Sequence, residues 1–172
     1  INPYLVDAND IVITHRQTPL CDIPKMSFGN MPLDGGNLLM SDIDKIDIVK
    51  KEPRIEKFIR PLISAREFLN NERRWCIWLV DAEPQEIKEI PLLLERIKKV
   101  KEFRESSIAP STRKFASTPS LFRDRNNPSS FILIPSTSSE NRKYIPIGFF
   151  GKESIANNSC HIIPDGTTFH FG

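Results

Sequence analysis

Prolines interrupt this sequence more often than glycines, and they limit how long its helices and strands can be. The 172 residues include 14 prolines and 7 glycines. Proline fixes one backbone angle and lacks an amide hydrogen, so frequent prolines favour many short elements joined by stiff loops. The length is that of one domain. Because the sequence starts at Ile1 and stops at Gly172 in an apolar stretch, we expect one domain over residues 1–172, excised from a longer protein.

The longest element that the sequence predicts is a helix near residues 90–107. Apolar side chains recur there at helical spacing, from Ile90 through Leu93, Ile97 and Val100. Residues 73–80 alternate with apolar side chains on both faces, which predicts a central strand. Other strands are expected at residues 10–14, 129–134, 144–150 and 160–163, and short helices after Ser41, from Pro53 to Arg60-Pro61, and from Pro84. The predicted fold class is α+β, with a mixed or mostly antiparallel sheet packed against several helices.

The charges are distributed unevenly along the chain. The formal net charge is only +2. Residues 96–144 hold eleven Lys and Arg and four acids, so this segment carries +7 and the remainder −5. A concentrated positive charge is expected of a face that binds a polyanion such as nucleic acid. The alternative is an ordinary solvated surface.

Catalytic motifs are largely missing from the sequence. No GxSxG or HExxH pattern occurs, and no glycine-rich loop suited to S-adenosylmethionine is present. Asn2-Pro3-Tyr4 partly resembles the Asn-Pro-Pro-Tyr motif of amino-methyltransferases, but with one proline fewer. Gly35-Gly36 lies outside any GxGxxG pattern, so a tight turn is favoured over a phosphate cradle. We therefore expect no catalytic residue and no cofactor in this segment.

The cysteines and histidines predict neither a metal site nor a disulfide framework. Cys21, Cys76 and Cys160 are far apart and odd in number, which favours free thiols in a reducing cytoplasm. The three histidines add no zinc-ligand spacing. No run of about 18 apolar residues suggests a membrane span. We therefore expect a cytoplasmic protein with no metal and no membrane contact.

Several stretches together resemble one known family. Among them are Ser-Phe-Gly-Asn-Met-Pro-Leu-Asp-Gly-Gly at residues 27–36 and Arg-Trp-Cys-Ile-Trp-Leu-Val-Asp-Ala at residues 74–82. The others lie at residues 2–7, 58–61, 65–68, 111–114, 138–149 and 163–165. The chain is similar to the target recognition domain of the MmeI-like restriction–modification enzymes. The resemblance spans nearly the whole chain, and is therefore far more specific than any single motif.

The resemblance implies a function and a set of partners. The parent would be one polypeptide that joins an endonuclease, an adenine-specific DNA methyltransferase and this recognition domain. It would use S-adenosylmethionine for methylation and Mg²⁺ for cleavage, with the methyltransferase domain before Ile1. The chain itself would read the sequence of double-stranded DNA and perform no chemistry.

The resemblance also places specificity in the segment near residues 106–113 and in the polar tip near residues 138–144. Glu140 and Arg142 are the first choices for reading bases, because Arg can donate two hydrogen bonds to guanine and Glu can accept from cytosine. Ile108 and Ala109 lie at matching positions but offer no hydrogen-bonding side chain. The full base-reading set is Glu140, Arg142, Ser138, Ser139, Ala109 and Ile108. The expected phosphate contacts are Lys98, Lys101, Arg104, Ser111, Thr112, Arg113, Lys114 and Lys143.

Three alternatives stay open on the sequence alone. Glu140 and Arg142 could form only a surface ion pair, worth about 0–1 kcal/mol. The chain could be a fragment with its own methyltransferase or nuclease activity, which binding of S-adenosylmethionine would support. It could instead be a protein-interaction module, which predicts little DNA binding at low salt.

Overall fold

The computed structural model describes Leu5, Asp7, Asn9, Thr14, His15 and residues 23–170. Asn2-Pro3-Tyr4, Cys21 and most of the strand expected at residues 10–14 lie outside these described residues. The strands form two sheets, and the helices pack mainly against the first. This combination confirms the α+β class. One sheet was expected, whereas the described residues form two of four strands each.

The first sheet carries the larger core. Its strands run in the order β2 (Leu39–Met40), β4 (Trp75–Ile77), β3 (Ile59–Ile63) and β7 (Ile155–Ala156), and only β3 and β7 pair in parallel. β4 is an interior strand, as its two apolar faces predicted. β3 was not expected, because it contains Pro61. The amide of Leu62 donates to the carbonyl of Arg74 across the β3–β4 pair, so the nitrogen of Pro61 points to the opposite side of β3. On that side β7 pairs only from Leu62 onward, so no strand hydrogen bond is lost at Pro61.

The described residues contain five α-helices and three 3-10 helices, the latter at Pro53–Phe58, Lys114–Ser117 and Thr168–His170. α1 (Asp42–Lys51) begins with a capping box in which Ser41 and Asp44 exchange hydrogen bonds between side chain and backbone, and a 3-10 helix follows at Pro53–Phe58. The others are α2 (Ala65–Asn70), α3 (Pro84–Lys88), α4 (Pro91–Glu105) and α5 (Pro110–Arg113). α4 is the longest helix among the described residues and matches the predicted 90–107 segment. Leu93 and Val100 on α4 are fully buried against the first core.

The second sheet is entirely antiparallel and holds a smaller core. Its order is β1 (Ser27–Phe28), β8 (Cys160–Pro164), β5 (Ser130–Pro135) and β6 (Gly148–Gly151). The strand expected at 144–150 is wrong over residues 144–147, because strand pairing begins only at Gly148. Residues 136–147 therefore form a long connection between β5 and β6, and they carry the polar tip.

Asn30 joins the two sheets. Its side chain is fully buried and donates to the carbonyls of Asn126 at 2.8 Å and Ala156 at 3.1 Å. Its oxygen accepts from the Asn126 amide at 2.6 Å. At the neighbouring Gly29, an added Cβ would lie 2.3 Å from the carbonyl oxygen of Asn157, so only glycine allows this close approach. The sheets are thus held together by backbone contact and a satisfied buried amide.

Candidate nucleic-acid interface

The first candidate segment, residues 106–113, projects an apolar side chain into solvent. Ile108 is 96% exposed. Arg113 on α5 braces the loop beneath it, since its Nη1 donates to the carbonyls of Ser107 at 2.7 Å and Ile108 at 3.0 Å. The amide of Ala109 donates to Ser107 Oγ at 3.3 Å. Ile108 is therefore held on an ordered loop by its backbone while its side chain is left free.

The second candidate segment is the polar tip at residues 138–144, and all residues from 136 to 145 are exposed. A tight turn orders its centre, where the amide of Arg142 donates to the Ser139 carbonyl at 3.1 Å and that of Asn141 to Ser139 Oγ at 3.2 Å. Within the described part of the chain, Glu140 and Arg142 make no ion pair with each other or with a third residue. Both side chains are thus free to meet a ligand.

The cations of α4 are exposed but accompanied by acids. Lys98 lies 3.9 Å from Glu102, and Lys101 lies 3.7 Å from Glu105, each one helical turn away. Exposed pairs of this kind contribute about 0–1 kcal/mol, so a phosphate can displace the carboxylate at little cost. Lys114 has no such acid partner among the residues described. Glu102 and Glu105 are already counted in the net +7 of residues 96–144, and they leave α4 less positive than its lysines alone would make it.

Arg104 is not a phosphate contact, and that prediction is wrong. The residue is 0% exposed. Its guanidinium makes five hydrogen bonds, to the carbonyls of Pro32, Leu33, Phe115, Thr118 and Leu121, at 2.7–3.1 Å. A guanidinium has five N–H donors, so none is left for DNA. Burial lowers the pKa of the Arg104 guanidinium from its ordinary value.

The other sequence-predicted residues separate into two groups in space. Ser111, Thr112 and Arg113 lie together on α5, with Thr112 half-buried and the other two exposed. Lys143 belongs to the polar tip, where its Nζ lies 5.4 Å from the Tyr144 ring centre. The first group follows α4 on the larger core, and the second joins two strands of the other sheet. No hydrogen bond or ion pair between described residues links the two groups.

Neither of the two cysteines among the described residues is exposed at this surface. Cys76 and Cys160 are both buried and free. Burial raises the pKa of the Cys160 thiol from 9.0 to about 11 and raises that of Cys76 still further. No group of three or more potential metal-ligating side chains occurs among the described residues. Within the same residues, no helix is long and apolar enough to cross a membrane.

Residues 7–172 match the family model of the MmeI target recognition domain. The chain belongs to the MmeI target recognition domain family. That match confirms the resemblance seen in the sequence, and it describes a module of recognition and not of catalysis.

Two relatives of this recognition domain give the same assignment. DNA methyltransferase A of Bacillus subtilis (strain 168) is 40% identical over 173 residues, which cover 100% of this chain and 20% of the relative. A solved structure of the Type IIL restriction–modification enzyme MmeI in complex with DNA has a TM-score of 0.87 and 45% identity, covering 99% of this chain and 23% of that one. The chain therefore spans about a fifth of the length of these relatives.

The burial of Arg104 has a visible signal in the sequence of the recognition domain. Arg104 follows Val100 by four residues and Leu93 by eleven, so it continues the buried stripe of α4. Phe103, the apolar residue three positions after Val100, is 41% exposed. The helical spacing therefore places Arg104, and not Phe103, on the buried face of α4.

Proposed function

We propose that this domain reads a short sequence of duplex DNA through two exposed segments, residues 106–113 and residues 138–144. The observation that carries the proposal is the free state of Glu140 and Arg142, which project from an ordered turn with no partner among the described residues. Unpaired charged side chains on a rigid turn avoid the cost of breaking protein contacts before they meet a base. The membership of the chain in the MmeI target recognition domain family supports the same role.

The polar tip supplies the hydrogen bonds. Arg142 donates two hydrogen bonds to the O6 and N7 atoms of guanine, and Glu140 accepts from the amino group of cytosine. Ser138 and Ser139 beside them can donate or accept with any base edge. Each good base contact discriminates by about 1–3 kcal/mol, so one pair of residues sets the preference at one or two positions.

The first segment supplies an apolar contact. The exposed Ile108 side chain suits the methyl group of thymine in the major groove, and the methyl of Ala109 lies next to it along the chain. An apolar side chain at 96% exposure gains from such burial without any change to the domain core. Ile108 and Ala109 thus read bases by contact and not by hydrogen bonds.

The phosphate contacts surround both segments. They comprise Lys98, Lys101, Ser111, Thr112, Arg113, Lys114 and Lys143. Of these, Arg113 keeps free N–H groups after bracing its loop, since only its Nη1 is engaged. These contacts fix the register of the duplex and its salt dependence and carry no sequence information.

The whole protein is proposed to be a DNA methyltransferase with a nuclease in the same polypeptide. The relative from Bacillus subtilis is named as a DNA methyltransferase, and the solved relative as a restriction–modification enzyme. The methyltransferase domain would use S-adenosylmethionine on an adenine flipped out of the duplex, and the nuclease would use Mg²⁺, both in the cytoplasm. The recognition domain would present the target base to the methyltransferase domain.

One experiment tests the proposal as a whole. The intact protein is incubated with a library of duplexes in which every position varies, and the bound or methylated molecules are sequenced. We expect one short motif to be enriched. An unchanged library, with binding that is weak at low salt, would show that the chain is a protein-interaction module.

A further inference from the structure

The turn at residues 34–37 is exposed at Gly35 and Gly36 and lies outside both reading segments. We propose that this turn, with Arg73 and Arg96 beside it, holds a phosphate group of the duplex backbone. The inference rests on the proposed function and adds an anchor that neither the charge pattern nor the family resemblance identified.

The turn is tight and rigid. The amide of Asn37 donates to the carbonyl of Asp34 at 3.2 Å, and Gly35 and Gly36 have φ angles of 60° and 82°. Two successive positive φ values are typical of a type I′ turn, in which glycine is favoured. The buried Asp34 carboxylate accepts from the amide of Leu38 at 2.6 Å and fixes the end of the turn.

The outer surface of the turn is bare backbone. Gly35 and Gly36 are both exposed, and neither amide donates a hydrogen bond to any described residue. A Cβ added at Gly36 would meet nothing within 4 Å. Neighbouring free amides without side chains form a concave anion-binding surface, and backbone N–H groups are common phosphate ligands in DNA complexes.

Cations line the clefts on either side of Gly36. One cleft, of about 410 Å³, is lined by three arginines, and the other, of about 360 Å³, by an arginine and a lysine. These residues are Arg66, Arg73 and Arg74, and Arg96 and Lys99. Arg66, Arg74 and Lys99 pair with nearby glutamates, whereas Arg73 and Arg96 make no ion pair with a described residue. Arg73 and Arg96 are therefore the two cations left to neutralise a bound anion.

Glu67 and Glu95 each line one of the clefts, and Asp44 is the carboxylate that lines both. It is already engaged, since it accepts from the amide of Ser41 at 3.1 Å and from its hydroxyl at 2.8 Å. These hydrogen bonds, and the charge of Arg96, lower the pKa of Asp44 from its ordinary 3.8. Arg96 itself is held over the turn by a 2.6 Å hydrogen bond from Nη1 to the Asn37 carbonyl.

The turn is fixed to the end of α4 that leads into the first reading segment. A Cβ added at Gly35 would lie 2.8 Å from the Phe103 ring, so glycine allows the turn to rest on this side chain. Arg104 next to it donates to the carbonyls of Pro32 and Leu33. A phosphate held at Gly36 therefore sits on the same rigid unit as Ser106, and it would set the register of that segment on the bases.

Two substitutions at Gly36 separate charge from backbone strain. Asn and Asp both tolerate positive φ and have nearly the same shape, so Gly36→Asn and Gly36→Asp differ mainly by one negative charge. We expect the intact Asp variant to bind a labelled mixed-sequence duplex about tenfold more weakly than the Asn variant, because a carboxylate at the turn repels a phosphate. Equal melting temperatures would show that both variants fold.

Arg73→Ala supplies an independent measurement. Loss of one phosphate contact should reduce the slope of log affinity against log salt by about one unit. Lys88→Ala is the matched control, since it removes one exposed cation on α3 and should leave the slope unchanged. Equal affinities for the two Gly36 variants, together with an unchanged slope for Arg73→Ala, would overturn the inference. Failure of the unmodified protein to bind any duplex at low salt would instead overturn the proposed function.

Discussion

Arg104 donates from Nε to the carbonyl oxygen of Leu33 at 2.8 Å, across a separation of 71 residues in the sequence. The same guanidinium holds Phe115 and Thr118 on the far side of the first reading segment. One side chain thus ties the loop before Gly35, the end of α4 and the segment after α5 into a single unit. Arg104 was expected to contact phosphate, but it is an internal support of the segment at residues 106–113.

Arg104→Met should destabilise the domain by about 3–5 kcal/mol, because five carbonyl oxygens lose their donors while the apolar stem is kept. The measurement is the denaturant midpoint of unfolding. Arg113→Met, which removes two exposed hydrogen bonds, is the control and should change stability by less than about 1 kcal/mol. A loss below about 1 kcal/mol for Arg104→Met would contradict the structural role.

Arg142→Ala should relax the preference for one base position and leave the others intact, with a loss of about 1–3 kcal/mol on the preferred base. Lys101→Ala should weaken all sequences alike, because phosphate contacts carry no sequence information. Binding to a panel of singly substituted duplexes distinguishes the two. If both variants lowered affinity uniformly, Arg142 would be a phosphate contact.

Ile108→Ala should alter recognition without altering stability. At 96% exposure the side chain contributes almost nothing to the core, so the melting temperature should stay the same within error. On DNA the truncated side chain would lose its contact with thymine, and replacing that thymine by uracil should then cost the variant less than it costs the unmodified protein. An equal cost of uracil in both proteins would refute the contact.

The buried thiols predict resistance to alkylation and a loss of stability in alkali. The pKa of Cys160 is raised by burial from 9.0 to about 11, so the folded state holds a proton that the unfolded state releases between these values. Its contribution to stability is complete below pH 9 and falls as the pH rises from 9 to about 11. In a Cys21→Ser background, Cys76 and Cys160 should react with iodoacetamide at pH 8 only in denaturant, and Cys160→Ala should flatten the alkaline fall in the unfolding free energy. Rapid labelling of the native protein by iodoacetamide at pH 8 would contradict the predicted burial of Cys76 and Cys160.

Nearby residues in the sequence were enough to predict several elements. The capping box at Ser41 and Asp44, the start of α4 at Pro91 and the strand β5 all depend on contacts or periodicity within a few positions. The exposure of the polar tip followed in the same way from its composition. The family was also recognisable from sequence alone, since its motifs recur along almost the whole chain.

Tertiary structure decided what depends on distant partners. The burial of Arg104 follows from carbonyls up to 72 residues away, and no local pattern shows that five of them converge on one guanidinium. The junction between the two sheets depends on Asn30, whose partners lie 96 and 126 residues away. Gly36 has a typical turn sequence, but only the folded chain brings it to one cleft with Arg73 and to another with Arg96. Local hydrogen bonds and periodicity are encoded by neighbouring residues, whereas long-range neighbours exist only once the chain has closed its loops.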